Sequence, residues 1–194
     1  MKIKYKISLS FIAFTLLTLM PLSWYYAGRQ RTDRIAETAL QGKVASEILA
    51  RLGVQTLLAS GADATTARLD AAEAIRILQP YFRQGLVRAQ LLVVSGGELR
   101  GLVLAEESTD PYFRLQAVKR VDEAEVTRLL QHQGFSELRE GSGEFYEFVS
   151  VVQIRPGKPV CAGRVIYSKA AVLAPVEKFR TFTILLIIGF AIAS

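Results

Sequence analysis

The sequence has very little of the residues from which metal and nucleophile sites are usually built. Its 194 residues include one cysteine, Cys161, and one histidine, His132. A single cysteine excludes an internal disulfide and a zinc site made of cysteines. A single histidine excludes a histidine cluster for a metal, and we expect Cys161 to be buried and His132 to be a surface residue. We therefore predict no metal site, no cofactor and no catalytic residue.

Charge of one sign is not concentrated anywhere in the chain. The formal net charge is +6, but three of the basic residues are lysines within the first six positions. Residues 28–180 carry 21 basic and 18 acidic side chains, which are interspersed. Nucleic-acid-binding domains usually present a basic patch or stripe, so we expect no nucleic-acid partner.

Two apolar runs without charged residues are the most prominent feature that the sequence does have. The first, 7–27, is 21 residues long, and as a helix it would reach about 31 Å, the thickness of a bilayer's hydrocarbon core. The second, 181–194, continues to the last position. We predict a cytoplasmic tail at 1–6, a transmembrane helix at 7–27, a folded domain at 28–180 and the start of a second transmembrane helix at 181–194.

A cleaved signal peptide is the alternative interpretation of the first run. Signal peptides have an apolar core of about 7–15 residues, followed by small residues at the cleavage site. This run is longer and ends in Trp24, Tyr25 and Tyr26, which is typical of the aromatic belt of a membrane helix. We therefore predict a retained anchor. Basic residues on both sides of the run leave its orientation open, with the tail in the cytoplasm as the expectation.

The residues after the first run predict a long helix that continues from it. From Thr32 to about Ser60 apolar residues recur every four or five positions, and Gly28 is the one glycine between this stretch and the run. This spacing places five residues on one stripe of a helix: Ile35, Leu40, Val44, Ile48 and Leu52. The stripe would suit either a parallel dimer with a second copy or packing against the domain's own sheet.

A second helix and four strands are predicted further along the chain. The helix runs from about Thr65 to Leu78 and is ended by Pro80. Alternating apolar and polar residues over Leu86–Ser95 predict a half-buried strand, which a tight turn joins to a hairpin partner over Leu99–Ala105. Aromatic and β-branched residues predict two more strands, over Glu144–Ile154 and Val160–Ser168.

The remaining segments complete an α+β fold. Residues 106–121 are predicted to form a loop with aromatic content. Asp122 is the expected N-cap of a short helix, with Glu125 in the capping-box position and the acidic first turn in solvent. A turn over Arg155–Lys158 joins the last two strands, and a helix after Lys169 leads into the second apolar run.

This order of elements resembles the extracytoplasmic sensory domains of the Cache type in bacterial membrane receptors, whose folds are PAS-like. Such domains have a helix that emerges from the membrane, a central antiparallel sheet and a last strand that leads into a second membrane helix. The turns at Gly97-Glu98 and Pro156-Gly157-Lys158 have a similar character, and the resemblance covers about residues 29–180. It implies a PAS-like antiparallel sheet with a long N-terminal helix, flanked by transmembrane helices. The location it implies is the bacterial inner membrane, with the domain in the periplasm.

The resemblance also implies where a ligand would bind. In PAS-like domains a small ligand lies between the sheet and the loops and helix that cover one of its faces. Aromatic and basic residues of the covering segment and the sheet are therefore the candidate ligand-binding residues: Tyr112, Phe113, Arg114, Tyr146, Phe148 and Arg164. Such a site would suit a carboxylate-bearing ligand. The alternative is that the aromatic residues form core and the arginines lie at the surface.

The function that the resemblance implies is sensing across a membrane. The domain would detect a small ligand or a partner protein. From the apolar stripe we expect a homodimer through the membrane-proximal helices. It would pass the signal to an output module after Ser194, as in sensor histidine kinases of two-component systems, chemoreceptors and membrane-bound cyclases. One alternative is a bitopic envelope scaffold that binds other proteins. Another is a secreted binding protein, if the first run is cleaved near Ala27.

Overall fold

The computed structural model describes residues 2–61, 63–95, 97–141, 143–153 and 160–193. The protein comprises two units. One contains residues 1–36 and 173–194, and the other contains residues 37–172 with the whole β-sheet. We call residues 37–172 the sheet unit, and the contacts described below lie within it.

The elements follow one another in an α+β order, which confirms the predicted fold class and the long N-terminal helix. In chain order they are α1 (Lys2–Ala59), α2 (Ala64–Ala74), a 3-10 turn (Ile75–Leu78), α3 (Gln79–Phe82), β1 (Leu86–Ser95), a second 3-10 turn (Gly97–Leu99), β2 (Val103–Ser108), α4 (Pro111–Leu115), α5 (Glu123–Gln131), β3 (Gly134–Glu140), β4 (Gly143–Val152), β5 (Val160–Ser168) and α6 (Lys169–Ala193).

Helix α1 is continuous from its first residue to its last, so the predicted continuation of the apolar run into the following helix is confirmed. Pro21 and Gly28 both lie inside it. The helix ends just before Gly61, whose φ is 62°. This left-handed conformation favours glycine and commonly terminates helices.

Within the residues described, none of the helices contains a segment with both the length and the apolar character needed to cross a bilayer. The predicted spans at 7–27 and 181–194 fall partly on positions whose side chains lie outside this description, namely 7–13, 15, 16, 187 and 190–194. The flanking transmembrane helices therefore stay predictions.

The sheet is antiparallel and has five strands in the order β2-β1-β5-β4-β3. The pattern in the sequence predicts four strands, and the additional one is β3. This strand lies at the edge of the sheet, where four of its seven residues are exposed. Charged residues on an exposed edge hide the apolar alternation that marks a buried strand. The segment around Gly141 is the turn of the β3–β4 hairpin, in which Glu140 pairs with Gly143.

Strand β1 has the predicted bounds, but the prediction that it is half-buried is wrong. Eight of its ten residues are buried, because both faces of the sheet are covered. Leu91 lies against α1 near Gly53. Leu92 and Val94 point the opposite way and pack with Val126 of α5.

The connection from β1 to β2 is longer than the predicted tight turn. It contains a 3-10 turn, and β2 covers Val103–Ser108 rather than Leu99–Ala105. Gly101 in this connection has a φ of 77°, and a Cβ atom there would lie 2.7 Å from the carbonyl oxygen of Val121. A residue with a side chain would therefore be strained at this position.

Two further predictions about the connecting segments need correction. The helix predicted to run to Leu78 is α-helical only to Ala74, and Pro80 opens α3 instead of ending the preceding helix. Proline is favoured in a first helical turn, where its missing N–H has no partner to lose. The predicted loop at 106–121 contains the end of β2 and the short helix α4. The predicted turn over Arg155–Lys158 lies outside the described residues.

One face of the sheet, which we call the α1 face, packs tightly against α1. A Cβ atom on Gly163 of β5 would lie 2.8 Å from the backbone nitrogen of Ala50 and 2.8 Å from the Cβ of Leu49. Close by, the hydroxyl oxygens of Ser46 on α1 and Ser150 on β4 are hydrogen-bonded at 2.7 Å. The helix therefore approaches β5 so closely that glycine is required at the contact.

The opposite face, which we call the polar face, is covered by α4 and α5. Val126 and Leu129 of α5 pack on an apolar cluster that includes Leu92 and Val149. Phe113 of α4 packs on a second apolar cluster, formed by Phe145 and Ile166. Charged side chains of the strands lie on this same face.

Candidate functional site

The polar face carries charged and polar side chains that are largely withdrawn from solvent. The strands place them there by alternation, since residues two apart on a strand share a face. The register pairs Gln90 of β1 with Glu106 of β2 on one side and with Arg164 of β5 on the other. We call the whole set the polar cluster. Its members are Arg88, Gln90, Glu106, Glu125, Arg128, Glu147 and Arg164.

Four members of the polar cluster form interlocked ion pairs between α5 and the sheet. Arg128 Nη1 lies 2.9 Å from Glu147 Oε2, and Arg128 Nε lies 2.7 Å from Glu125 Oε2. Arg164 Nε lies 2.5 Å from Glu147 Oε1, and its Nη1 lies 3.2 Å from Glu125 Oε1. Ser136 of β3 also donates to Glu147 Oε2, at 3.1 Å. The Glu147 carboxylate, whose side chain is only 1% exposed, is thus surrounded by donors.

The charges of this quartet keep one another ionised. Burial by itself raises the pKa of Glu147, but hydrogen bonds from Arg128 and the charge of Arg164 outweigh it and lower that pKa to about 2. The hydrogen bond with Arg128 likewise lowers the pKa of Glu125 and raises the pKa of Arg128. Buried charges are tolerated when they are paired and hydrogen-bonded. The quartet meets that condition and ties α5 to β4 and β5.

The remaining members of the cluster lie on β1 and β2. Arg88 Nε lies 2.7 Å from Glu106 Oε1, and the Arg88 guanidinium stacks over the Phe113 ring at 5.2 Å. Gln90 Nε2 lies 3.5 Å from the other oxygen of Glu106. Burial lowers the pKa of Arg88, the Glu106 carboxylate opposes this, and the positive charge of Arg164 adds to the lowering. Arg88 and Arg164 are therefore close enough to repel each other.

Four of the sequence-predicted site residues lie on or beside the polar face. Arg164 belongs to the polar cluster and is 5% exposed, so it is not a surface residue. Phe113 is buried, with its ring 5.0 Å from that of Phe145. The half-buried Tyr112 ring lies 5.3 Å from Phe113. Arg114 is exposed, and its Nε donates to the Ser108 carbonyl at 2.7 Å.

The other two predicted site residues, Tyr146 and Phe148, lie on the α1 face. A Cβ atom on Gly42 of α1 would lie 2.5 Å from Phe148 Cγ. Phe135 of β3 stacks near both aromatic rings, at 5.6 Å from Tyr146 and 5.3 Å from Phe148. Arg164 pairs with Val149 across the strands and therefore points away from Phe148. The structure thus divides the six predicted residues between two faces and does not bring them into one site.

Glu125 also requires a correction. Asp122 caps α5 as predicted, since its Oδ1 accepts the Glu125 backbone N–H at 2.8 Å. The prediction that the acidic first turn is solvated is wrong for Glu125, whose carboxylate joins Arg128 and Arg164. Position on the first turn does not reveal that the sheet below presents arginines.

Most of the polar cluster was missed by reasoning from the sequence. The available signal was a charged residue inside a strand pattern: Glu147 stands between Tyr146 and Phe148, and Arg88 and Gln90 alternate with apolar residues. In a half-buried strand such residues would face solvent. Their burial follows from α4 and α5 covering the second face, which periodicity cannot show.

The single cysteine and histidine lie where the sequence predicts. Cys161 is buried, which raises its pKa to about 12, and His132 is exposed at the end of α5. Across the described residues, no three or more histidine, cysteine, aspartate or glutamate side chains are grouped so as to hold a metal ion. No protein-family model matches the sequence, and no curated protein matches it significantly.

The polar cluster brings guanidinium donors and an amide side chain together on one face of the sheet. Guanidinium groups present N–H donors in a planar fork that matches a carboxylate. The amide of Gln90 adds an acceptor beside two such groups. The cluster is therefore the part of the described sheet unit in which charged donors and a polar acceptor converge.

Proposed function

We propose that this chain is the front part of a membrane-anchored sensory receptor. The sheet unit detects a small ligand or a partner outside the cytoplasm, and α1 and α6 carry the signal across the membrane to an output module that follows Ser194. The proposed setting is the bacterial inner membrane, with the sheet unit in the periplasm. The chain itself carries recognition and no catalysis.

The observation that carries this proposal is the position of β5. Arg164 of β5 is held in the polar cluster, while its neighbour Gly163 touches α1 at Ala50 on the opposite face. The same strand continues directly into α6 after Ser168. A small displacement of β5 by a ligand on the polar face would therefore move the contact with α1 and the first turn of α6. Helix shifts of about 1–2 Å are a known form of signalling motion.

The fold class is consistent with a PAS-like sensory domain of the Cache type. The central antiparallel sheet, the long preceding helix and the last strand that leads into a helix are the features that this resemblance implies. Membrane anchoring is supported by the uncharged run at 7–27, its aromatic end and the second uncharged run at 181–194.

We also propose that the receptor is a parallel homodimer through α1. The apolar stripe of this helix would suit either a partner helix or the sheet, and the exposure of three of its residues supports a partner helix. Leu40, Val44 and Ile48 are 66%, 43% and 37% exposed, whereas residues such as Ala45 and Leu49 face the sheet. These three residues present apolar side chains at four-residue spacing on the exposed side of α1, which supports pairing with a partner helix.

Labelling of introduced cysteines in intact bacterial cells tests the location. The natural Cys161 is buried, so it gives a low background with a membrane-impermeant maleimide. Arg139 has a side chain that is 83% exposed, and Arg139→Cys is expected to label from outside without permeabilisation. Lys4→Cys is expected to label only after the membrane is opened. Equal labelling of the two variants in intact cells would contradict the proposal.

Crosslinking tests the dimer separately. Leu40→Cys or Val44→Cys is expected to give a covalent dimer under mild oxidation in membranes. Lys43→Cys is the matched control, because Lys43 is exposed on the same helix outside the stripe. Equal yields at positions 43 and 44 would mean random collision and would remove the support for a parallel α1 pair. An external sheet unit without dimers would favour the envelope-scaffold alternative.

A further inference from the structure

Gln90 lies on the polar face between Glu106 of β2 and Arg164 of β5. Its side chain is fully buried, at 0% exposure. Among the residues that the structure describes, Gln90 Oε1 has no hydrogen-bond partner. The amide is oriented by Glu106, since Nε2 lies 3.5 Å from Glu106 Oε2 and a reversed amide would place two acceptors together. A buried acceptor without a donor is costly, so this oxygen requires an explanation.

Two arginines are the neighbours of Gln90 on the polar face. Arg164 lies directly opposite Gln90 on β5, and Arg88 precedes it by two residues on the same face of β1. Both arginines are 5% exposed. Their hydrogen bonds to glutamates use Nε in each case. Within the described part of the chain, the Nη atoms of Arg88 and Nη2 of Arg164 make no hydrogen bond.

A purely structural role does not account for this combination. The ion pair between Arg88 and Glu106 needs no neighbouring amide oxygen, and an apolar side chain at position 90 would avoid the unpaired acceptor. The two guanidiniums are like charges buried on one face of neighbouring strands, so they also repel each other. An anion bound by both would relieve that repulsion. A donor on the same molecule would satisfy Gln90.

We propose that Arg88, Arg164 and Gln90 bind a small organic acid that carries a hydrogen-bond donor next to its carboxylate, that is, a 2-hydroxy or 2-amino acid. The carboxylate accepts N–H groups from the two arginines, and the hydroxyl or ammonium group donates to Gln90 Oε1. This inference rests on the proposed sensory function in one respect, namely that the sheet unit binds a small ligand, and it names the chemical class of that ligand.

Matched pairs of acids test the inference on the full chain purified in a mild detergent. Lactate and propionate differ only by the hydroxyl, and alanine replaces the hydroxyl with an ammonium group. Dissociation constants are measured by calorimetry after a thermal-shift screen. We expect lactate or alanine to bind about tenfold more tightly than propionate, because loss of the donor leaves Gln90 Oε1 unpaired. This comparison needs no variant and cannot be confused with misfolding.

The variant Gln90→Met tests the role of the amide. It keeps the length of the side chain and removes the acceptor, so propionate binding is expected to persist. The ratio of the dissociation constant of propionate to that of lactate or alanine is expected to fall to about one. Gln55→Met is the matched control, because Gln55 is exposed on α1, and it is expected to retain the tenfold preference.

Two results would overturn the inference: none of the three acids binds, or lactate, alanine and propionate bind equally to the wild-type chain. Either result leaves the sensory proposal standing if Arg139→Cys is labelled from outside, and the ligand would then belong to another class. Preferential binding of lactate or alanine together with a sheet unit inside the cytoplasm would keep this site and remove the sensory proposal.

Discussion

The two faces of the sheet are made from alternate residues of the same strands, yet different forces hold their covering helices. On the α1 face the helix packs so closely that Gly163 has no room for a methyl group, and Ser46 and Ser150 form a polar contact there. On the polar face α5 is held by ion pairs to Glu147 and Arg164 as well as by apolar packing.

In the proposed receptor, this difference would give the two faces separate tasks. Close packing transmits displacement, because interdigitated side chains cannot absorb it without moving their neighbours. An ionic cluster can exchange partners, because guanidinium groups bind a ligand carboxylate with the same geometry that they use for glutamate. The polar face therefore suits recognition, and the α1 face suits transmission.

The largest effect is expected from breaking the ionic cluster. Glu147→Gln removes the charge that Arg128 and Arg164 share and leaves Arg164 buried with less compensation. We expect the free energy of unfolding to fall by about 3–5 kcal/mol, measured by urea denaturation. Glu47→Gln is the control, because the exposed pair Glu47–Arg51 should contribute about 0.2–1 kcal/mol. Equal losses for the two variants would show that the cluster is not a buried ionic unit.

Acid should weaken the polar face selectively. The pKa of Glu147 is about 2 in the folded protein and 4.5 in an unperturbed glutamate, so its contribution to stability is complete above pH 4.5. It is lost as the pH falls from 4.5 toward 2, because the unfolded state takes up the proton first. As the pH falls across this range, the melting temperature of the wild type should therefore decrease more steeply than the melting temperature of Glu147→Gln. Parallel pH curves would contradict the assignment.

The next effect in size is expected on the α1 face. Gly163→Ala places a methyl group against Leu49 and Ala50, so α1 must move away from β5. We expect a loss of about 1–3 kcal/mol from this overpacking, measured by the same denaturation. Gly28→Ala is the control and lies on α1. No described atom outside the helix's own backbone lies within 4 Å of the carbon added there. That variant should be neutral or slightly stabilising.

The smallest effect is expected from the serine pair. Ser150→Ala leaves the Ser46 hydroxyl without its partner across the interface, although Ser46 still donates to the Lys43 carbonyl at 3.0 Å. We expect a loss of about 1 kcal/mol. The double variant Ser46→Ala/Ser150→Ala should cost less than the sum of the single changes. Additive losses would mean that the two hydroxyls do not interact.

Much of the fold follows from local patterns in the sequence. The bounds of β1 and β5, the end of α1 and the N-cap Asp122 were predictable from alternation, turn residues and capping chemistry. The edge strand β3 was not, because its exposed charged residues carry no apolar alternation. Local patterns indicate whether a segment has an apolar face. An edge strand can form with few apolar residues, so its sequence shows no clear alternation.

The candidate site was harder to predict than the fold, because it depends on the face of the sheet on which each side chain lies. Tyr146 and Arg164 were grouped from their chemical types, but the register sends them to opposite faces. Gln90 and Glu147 were overlooked because a polar residue in a strand is normally solvated. Their burial arises from α4 and α5, whose placement is a property of the folded chain.

Amide hydrogen exchange of the full chain, with and without millimolar lactate or alanine, tests the link between the two faces most directly. We predict slower exchange in β1 and α5 and, in addition, altered exchange in the part of α1 that packs on the sheet, residues 42–53. A change confined to the polar face, with residues 42–53 unaffected while the acid is bound, would contradict transmission through the sheet.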